Sequence, residues 1–206
     1  MQIVKTIKSK YRSDKYYIYF QDESVCEISP DVLLKYNISI GREINEAEMK
    51  LIMSDQNFIN AKQSAYIFAA YKPRSEKQVR DKLKGMKYDQ DKINFAIDFV
   101  SDFNLIDDNK FAISFVKDYL QRKPSSISKL KMELKIKGID LQIIDKTLLE
   151  FGIEENELEF AIKSAEKKLK KINFKPKEKH KELVKTHLLR EGFKYDLIKQ
   201  VIEKMF

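Results

Sequence analysis

Apolar residues recur at a fixed spacing through the last three quarters of the chain. From about residue 56, three copies of one pattern align at offsets of 51 and 54 residues, which places Leu83, Leu134 and Leu188 in register. Periods of this length are typical of helical repeat proteins. The other matched apolar positions are Val79, Leu130 and Val184; Tyr88, Ile139 and Phe193; Ile93, Ile144 and Ile198; and Ile97, Leu148 and Ile202.

Each copy predicts three helices. An i, i+4 apolar pair such as Leu130 and Leu134 marks one face of the middle helix. Gly138 and Gly192 are expected to end the middle helices of copies two and three in a left-handed conformation, and Lys87 fills that slot in copy one. The first helices are predicted over Ala61–Tyr71, Phe111–Leu120 and Leu158–Leu169, and each precedes a proline (Pro73, Pro124 or Pro176) that separates it from the middle helix.

The first 55 residues follow a different pattern. Short runs rich in β-branched and aromatic residues predict a three-stranded meander over Ile3–Ile7, Lys15–Phe20 and Val25–Ile28, with turns at Ser13–Asp14 and Gln21–Glu23. In the middle run, residues 16, 18 and 20 share one face and residues 17 and 19 share the other. Such an aromatic face either packs under a neighbouring helix or stacks on nucleic-acid bases.

Two helix starts follow the predicted strands. Ser29 is a good N-cap, and Pro30 takes the first helical position, where its missing N–H costs nothing. A short helix through Tyr36 is therefore expected. Asn45, with Glu48 three residues later, resembles a capping box and predicts a second helix from residue 46.

These patterns predict a mainly α protein whose tandem three-helix repeats form a curved array, preceded by a small β-meander and short helices. The predicted boundaries are 1–55 for the N-terminal extension, then 56–106, 107–154 and 155–206 for the three repeats. One such repeat has little core of its own, so stacked repeats are expected to bury a continuous one.

Composition agrees with helices and adds a charge. The 206 residues include 5 glycines and 4 prolines, which favours helices joined by short polar connections over a sheet-rich fold. Residues 160–190 carry eleven Lys/Arg against three Glu, a local excess equal to the net charge of +8 of the whole chain. Such a stretch suits nucleic acid or an acidic protein surface, or else it is a well-solvated lysine-rich helix.

Residues that could carry catalytic chemistry are few. Cys26 lies in a predicted strand and is interpreted as a half-buried structural thiol. His180 and His187 are two helical turns apart, about 10 Å, which is too far to share a metal ion. The Asp107–Asp108 pair begins a helix, where carboxylates stabilise the positive end of the helix dipole. Neither catalysis nor a cofactor is expected, and the lack of a long apolar run or a secretory signal predicts a cytoplasmic protein.

Basic side chains around the middle helices of copies one and two are the predicted binding residues. The apolar face of each middle helix turns inward, so the lysines and arginines between the apolar positions project elsewhere. A basic stripe across successive middle helices would meet DNA phosphates or acidic protein surfaces, whereas plain solvation is the alternative for any single lysine. The predicted residues are Arg74, Lys77, Arg80, Lys84, Arg122, Lys123, Lys129, Lys131 and Lys135.

Three stretches resemble the RecX family. They are residues 71–83 (YKPRSEKQVRDKL), residues 105–112 (LIDDNKFA) followed by 133–139 (ELKIKGI), and residues 188–198 (LLREGFKYDLI). Residues 41–44 (GREI) look like part of an N-terminal extension found in some members. The second repeat departs from the family pattern, because Pro124-Ser125-Ser126 stands where a Gly-Pro-type turn is common. Ser126 can still cap the helix that follows.

The resemblance implies a regulator that is not an enzyme. Such a protein would bind RecA recombinase filaments, reach single-stranded DNA through the filament, and limit recombination and the associated ATP hydrolysis in DNA repair and the SOS response. A monomer is expected, because no heptad pattern predicts a coiled coil. The alternative is a general nucleic-acid-binding helical protein that acts through the basic third repeat, with steeply salt-dependent binding to naked DNA.

Overall fold

A computed structural model describes residues 1–10 and 15–206, and within these ranges the chain forms three strands and ten α-helices. The predicted turn at Ser13–Asp14 lies outside the described residues. The mainly α fold with an N-terminal β-meander is confirmed. The elements are β1 (Ile3–Lys8), β2 (Tyr16–Phe20), β3 (Val25–Ile28), α1 (Pro30–Lys35), α2 (Glu46–Tyr71), α3 (Glu76–Gly85), α4 (Gln90–Asp102), α5 (Asp108–Arg122), α6 (Ile127–Ile136), α7 (Leu141–Glu150), α8 (Glu157–Ile172), α9 (His180–Arg190) and α10 (Tyr195–Met205).

The chain divides into two compact units. The first comprises Met1–Tyr71 and Arg80–Phe103, and the second comprises Lys72–Val79 and Asn104–Phe206. In the first unit β1, β2 and β3 form an antiparallel meander in that order. The face of β2 formed by residues 16, 18 and 20 packs into the interior of the unit, with Ile18 fully buried. This face therefore contributes to the core and is not available for stacking on bases.

Both predicted helix caps of the N-terminal region are confirmed, and the first short helix ends at Lys35, one residue before Tyr36. The hydroxyl of Ser29 accepts the N–H of Val32, and the side-chain oxygen of Asn45 accepts the N–H of Glu48 at 2.8 Å. The thiol of Cys26 is half-buried, and burial raises its pKa to about 11, so it remains a protonated structural thiol at neutral pH.

A single helix, α2, covers both the helix predicted from residue 46 and the predicted first helix of copy one. Its buried positions include Ala61, Ala65 and Ala69, and these small residues let α4 pack closely against it. The predicted boundary between residues 55 and 56 falls inside this helix, and the predicted division into an extension and three repeats stays a prediction.

The second unit contains two successive three-helix bundles. The first bundle, α5–α7, surrounds a core that includes the registered Leu134, and the second, α8–α10, surrounds a core that includes Leu188. The predicted left-handed positions are confirmed: φ is +84° at Gly138, +80° at Gly192 and +64° at Lys87. The repeating apolar pattern thus corresponds to a repeating helix–turn–helix geometry.

Among the described residues, no helix combines the length and the apolar character that crossing a lipid bilayer requires.

A candidate anion-binding groove at the repeat junctions

Two successive contacts between repeats in the second unit use the same hydrogen bond. The hydroxyl of Ser75 donates to the carbonyl oxygen of Lys137 at 2.7 Å, and the hydroxyl of Ser126 donates to the carbonyl oxygen of Glu191, also at 2.7 Å. In each case a serine that follows a proline break satisfies a carbonyl at the end of the next repeat's middle helix. We call the first contact junction 1 and the second junction 2.

The same two junctions pair a helix N-terminus with a carboxylate. The N–H of Glu76 donates to the Asp108 carboxylate at 2.9 Å, and the N–H of Ile127 donates to the Glu157 carboxylate at 3.1 Å. A carboxylate at this end of a helix satisfies an otherwise unpaired N–H and stabilises the positive end of the dipole. At Asp108 partial burial outweighs this hydrogen bond and raises the pKa.

The glycine that ends each middle helix permits this close approach. A Cβ added at Gly138 would lie 2.5 Å from the Cβ of Lys77, and one added at Gly192 would lie 2.9 Å from the hydroxyl oxygen of Ser126. Both distances are shorter than van der Waals contact. Glycine is therefore required at these positions for two reasons: it adopts the positive φ without strain, and it has no Cβ to clash with the neighbouring repeat.

Junction 2 encloses a basic cavity of about 370 Å³. It lies among the C-terminal end of α5, one face of α8 and the C-terminal half of α9. Five cationic side chains and one carboxylate line it, together with a histidine, a serine and a proline. The lining residues are Arg122, Lys123, Pro124, Ser164, Lys167, Lys168, Lys171, His187 and Glu191.

Helix α8 contributes four of these residues at helical spacing. Ser164, Lys167, Lys168 and Lys171 occupy positions i, i+3, i+4 and i+7, which form one face of a helix. Lys167 donates to the carbonyl oxygen of Arg122 at 2.5 Å and so stabilises the C-terminal end of α5. Within the part of the chain that the structure describes, Lys168 and Lys171 form no hydrogen bond or ion pair, so their charges are not compensated by the protein.

A polar network forms another wall of this cavity. The ammonium group of Lys123 lies 2.9 Å from the nearly buried carboxylate of Glu191, which raises the pKa of Lys123. Nε2 of His187 lies 3.1 Å from the hydroxyl of Ser164. Burial lowers the pKa of His187, and the positive charges of Lys168, Lys123 and Lys171 act in the same direction, whereas Glu191 opposes them.

Junction 1 encloses a related cavity of about 300 Å³ with different walls. Its charged lining residues are Lys72, Arg74, Asp118, Arg122 and Lys137, and the rings of Phe111 and Phe115 form an apolar wall. The two rings stack with their centroids 5.9 Å apart. Arg122 lines both cavities, so they adjoin each other, and we call the two cavities together the junction groove.

The structure brings together three of the nine predicted binding residues. Arg74, Arg122 and Lys123 lie in the junction groove. Lys77 is at junction 1, but its ammonium group donates to the carbonyl oxygen of Ile136 at 2.9 Å and its side chain packs over Gly138.

The other predicted residues lie elsewhere. Arg80 donates to the side chain of Asn94 in the first unit, which also contains Lys84. Lys129 pairs with Glu133, and Lys131 pairs with Asp145 beside a cavity whose wall includes Glu154 and Glu155. Lys135 is exposed on α6. The nine residues do not line one cavity, and their role in binding stays a prediction.

The α8 face, His187 and Glu191 were not predicted to belong to one site. The lysine excess of residues 160–190 was recognised, and the i, i+3, i+4, i+7 spacing of residues within it would have indicated the α8 face. The sequence does not indicate that Lys123, more than forty residues earlier in the chain, lies beside this face.

The placement of Asp107 was predicted correctly, since its carboxylate caps α5 by accepting the N–H groups of Asn109 and Lys110.

No group of three or more His, Cys, Asp or Glu side chains among residues 1–10 and 15–206 is arranged to hold a metal ion. Most of the charged side chains that line the groove are ammonium and guanidinium groups, which bind anions, and Glu191 and Asp118 are its carboxylates.

Comparison with protein families gives two matches. Residues 61–99 match the model of the RecX first three-helix domain, and residues 107–148 match that of the RecX second three-helix domain. Copies one and two of the sequence pattern correspond to these domains.

Similar full-length proteins support the same assignment. The chain is 30% identical over 98% of its length to the regulatory protein RecX of Clostridioides difficile, of which it covers 95%. It is 32% identical over 95% of its length to the regulatory protein RecX of Clostridium beijerinckii, of which it covers 92%. A crystal structure of a regulatory protein RecX aligns over 98% of both chains with a TM-score of 0.68 at 23% identity, and that of RecX from Lactobacillus salivarius aligns over 72% of this chain and 96% of that one with a TM-score of 0.59 at 26% identity.

Proposed function

Since the chain belongs to the RecX family of regulatory proteins, we propose that it binds RecA recombinase filaments on single-stranded DNA and inhibits their ATP hydrolysis and strand exchange. It does so without catalysing a reaction and without a cofactor. In the cell it would act in the cytoplasm, as a monomer, and would limit DNA recombination during repair and the SOS response.

The observation that carries this proposal is the full-length similarity to regulatory proteins named RecX, which extends over both the N-terminal region and the repeats. The junction groove adds a physical means of binding. A RecA filament on DNA is a polyanion-containing polymer, and basic side chains at two neighbouring repeat junctions can make several charged contacts with it.

The test is RecA's single-stranded-DNA-dependent ATP hydrolysis, titrated with this protein at concentrations below that of RecA. We expect inhibition at these ratios, because a filament regulator needs few bound copies to affect many subunits. Binding of the protein to the same DNA without RecA is measured in parallel. Inhibition that appears only when the protein coats the DNA would contradict the proposal.

A second function is favoured by the charge of the junction 2 cavity. A general nucleic-acid-binding protein would use the basic third repeat to hold naked DNA, and its affinity would fall steeply with salt because each phosphate contact releases counterions. The ATPase titration and the DNA-binding measurement together distinguish the two functions. Strong binding to naked DNA with inhibition only at saturating coverage would favour this second function.

A further inference from the structure

The first unit contains a cavity of about 400 Å³, which is bounded by α2, by α4, by the start of α1 and by the residue that precedes β2. Its volume is within the range of small-ligand sites, which is roughly 300–1,000 Å³. Helix α2 contributes Ile59, Lys62, Gln63 and Tyr66. These positions are i, i+3, i+4 and i+7, so they form one face of the helix. None of the four residues lines the junction groove, and the cavity is therefore a separate candidate site.

A nearly buried lysine, Lys15, lines this cavity. Its side chain is 6% exposed, and its ammonium group lies 3.0 Å from the carboxylate of Glu27 and donates to the side-chain oxygen of Asn60 at 3.1 Å. Both partners line a neighbouring cavity of about 520 Å³, and neither lines this one. An ammonium group has three N–H donors, so one donor of Lys15 has no acceptor among residues 1–10 and 15–206. A buried donor of this kind favours an acceptor in the cavity.

A second ammonium group and two aromatic rings form the adjoining walls. The ammonium group of Lys62 lies 4.7 Å from the centroid of the Phe99 ring. This cation–π contact orients the ammonium group without neutralising its charge, and no carboxylate in the described part of the chain pairs with it. Tyr66 lines the same cavity and is 47% exposed. The cavity therefore combines ammonium donors with a flat apolar surface.

One carboxylate limits the negative charge that the cavity accepts. Asp31 lines the cavity, is exposed and forms no ion pair with the residues that the structure describes. Glu27 already compensates the charge of Lys15. The walls are therefore left with one positive charge, on Lys62, and one negative charge, on Asp31. A ligand with a single negative charge is attracted by Lys62, whereas a second negative charge is repelled by Asp31.

We propose that this cavity binds a small aromatic monocarboxylate. The carboxylate accepts charge-assisted hydrogen bonds from Lys62 and from the remaining N–H donor of Lys15. The ring of the ligand lies against Phe99 and Tyr66, in the offset or edge-on arrangement that aromatic pairs prefer. Because these contacts come from α2, from α4 and from the residue before β2, the ligand connects the β-meander to the helices and stabilises the first unit.

The test uses the full chain without RecA, so its outcome is independent of the proposed action on filaments. Binding of hydrocinnamate is measured by isothermal titration calorimetry. Hydrocinnamyl alcohol keeps the ring and lacks the charge, whereas phenyl phosphate carries two negative charges at about pH 8. We expect hydrocinnamate to bind about ten-fold more tightly than either, through its charge-assisted hydrogen bonds. No binding of hydrocinnamate, or equal binding of the alcohol, would overturn the proposal, and equal binding of phenyl phosphate would overturn the restriction to a monocarboxylate.

Two pairs of variants test the assigned contacts. Lys62→Met removes the charge and keeps an apolar stem, and Lys50→Met does the same at an exposed position of α2 that does not line the cavity. We expect the first to weaken hydrocinnamate binding about ten-fold and the second to leave it unchanged. Tyr66→Ala should weaken it about three-fold, whereas Tyr71→Ala, at an 83% exposed position of the same helix, should have no effect. Equal weakening within either pair would overturn the assigned contact.

A gain of binding keeps the test independent of any loss of folding. Asp31→Asn removes the wall carboxylate and should strengthen the binding of phenyl phosphate relative to that of hydrocinnamate by about three-fold, because the dianion loses more repulsion. A variant that gains affinity is folded, so this result holds even where Lys62→Met lowers the thermal unfolding midpoint. An unchanged ratio of the two affinities would show that Asp31 does not face the ligand and would overturn its placement in this cavity.

Discussion

Junctions 1 and 2 share one construction and differ in the chemistry of their walls. Each has a serine hydroxyl on a helix-end carbonyl, a carboxylate on a helix-start N–H and a glycine at positive φ where the backbones approach. Around this construction, junction 1 has two phenylalanines and a mixed set of charges, whereas junction 2 has three lysines from one helix, a histidine and the Lys123–Glu191 ion pair.

The difference shows which residues hold the repeats together and which are available for binding. Residues that recur at both junctions satisfy backbone groups, so substituting them should cost stability to a similar degree at the two places. Among the residues that differ, Lys167, Arg122 and Lys77 also donate to carbonyl oxygens near helix ends. Substituting the other residues that differ should change binding more than stability.

The largest loss of stability is expected at the two glycines. Gly138→Ala would place its Cβ 2.5 Å from the Cβ of Lys77, which cannot move without the backbone, whereas Gly192→Ala would meet the hydroxyl of Ser126 at 2.9 Å. The left-handed conformation and the overlap together should cost about 3 kcal/mol at Gly138 and about 2 kcal/mol at Gly192. Urea unfolding of the full chain measures both. A smaller loss at Gly138 than at Gly192 would contradict this account of junction 1.

Substitution of the two serines tests whether the shared hydrogen bonds stabilise junctions 1 and 2 equally. Ser75→Ala and Ser126→Ala each remove a hydroxyl that donates to a carbonyl and also accepts an N–H of its own helix. Each should lower the free energy of unfolding by about 1–3 kcal/mol. Ser128→Ala, on the exposed side of α6, is the control and should have little effect. A marked loss from one serine and none from the other would break the comparison.

Lys87 provides the opposite case. It occupies the same left-handed position in the first repeat at φ +64°, with its side chain exposed. Lys87→Gly should leave stability unchanged or raise it by up to about 1 kcal/mol, because glycine adopts this conformation without strain. A loss comparable to that of Gly138→Ala would show that the lysine side chain itself is needed there.

A small pH effect should separate the junctions, because the position that His187 occupies at junction 2 is Glu133 at junction 1. Burial lowers the pKa of His187, so the folded protein binds fewer protons at this ring than the unfolded chain does. The resulting stability is present above about pH 6.5, the ordinary histidine pKa, and is lost as the pH falls through the lowered pKa. The urea midpoint of His187→Gln should therefore fall less between pH 7 and pH 5 than that of the wild-type protein. An equal fall in both proteins would mean that His187 does not contribute.

Much of this fold follows from local patterns. Capping at Ser29 and Asn45, the positive φ at Gly138 and Gly192, and the three-helix repeats depend on residues that are neighbours in sequence, and all were predictable. The continuous helix α2 was not, since no local signal between residues 46 and 71 distinguishes one helix from two.

The groove was predictable only in part. Arg122 and Lys123 were identified as candidates because they adjoin a proline break, a feature that is local. Their meeting with Lys168 and Lys171 depends on how α5 packs near α8, and sequence spacing does not determine that arrangement. Lys131 is the opposite case, a predicted binding residue that lies outside the groove. Its position on α6 suggested that it belongs to a basic stripe, but it forms an ion pair with Asp145 on another helix, and sequence spacing does not indicate this partner.

The measurement that tests the central claim most directly is the RecA ATPase titration repeated with Arg122→Glu, since Arg122 belongs to both cavities. Lys199→Glu, which reverses an exposed charge on α10 that pairs with Glu203, is the matched control. We predict that the wild-type protein and the control inhibit RecA below its own concentration, and that Arg122→Glu requires about ten-fold more protein for the same effect, the equivalent of about 1.4 kcal/mol. Full inhibition by Arg122→Glu, with an unchanged titration midpoint, would show that the junction groove is not the surface that acts on the filament.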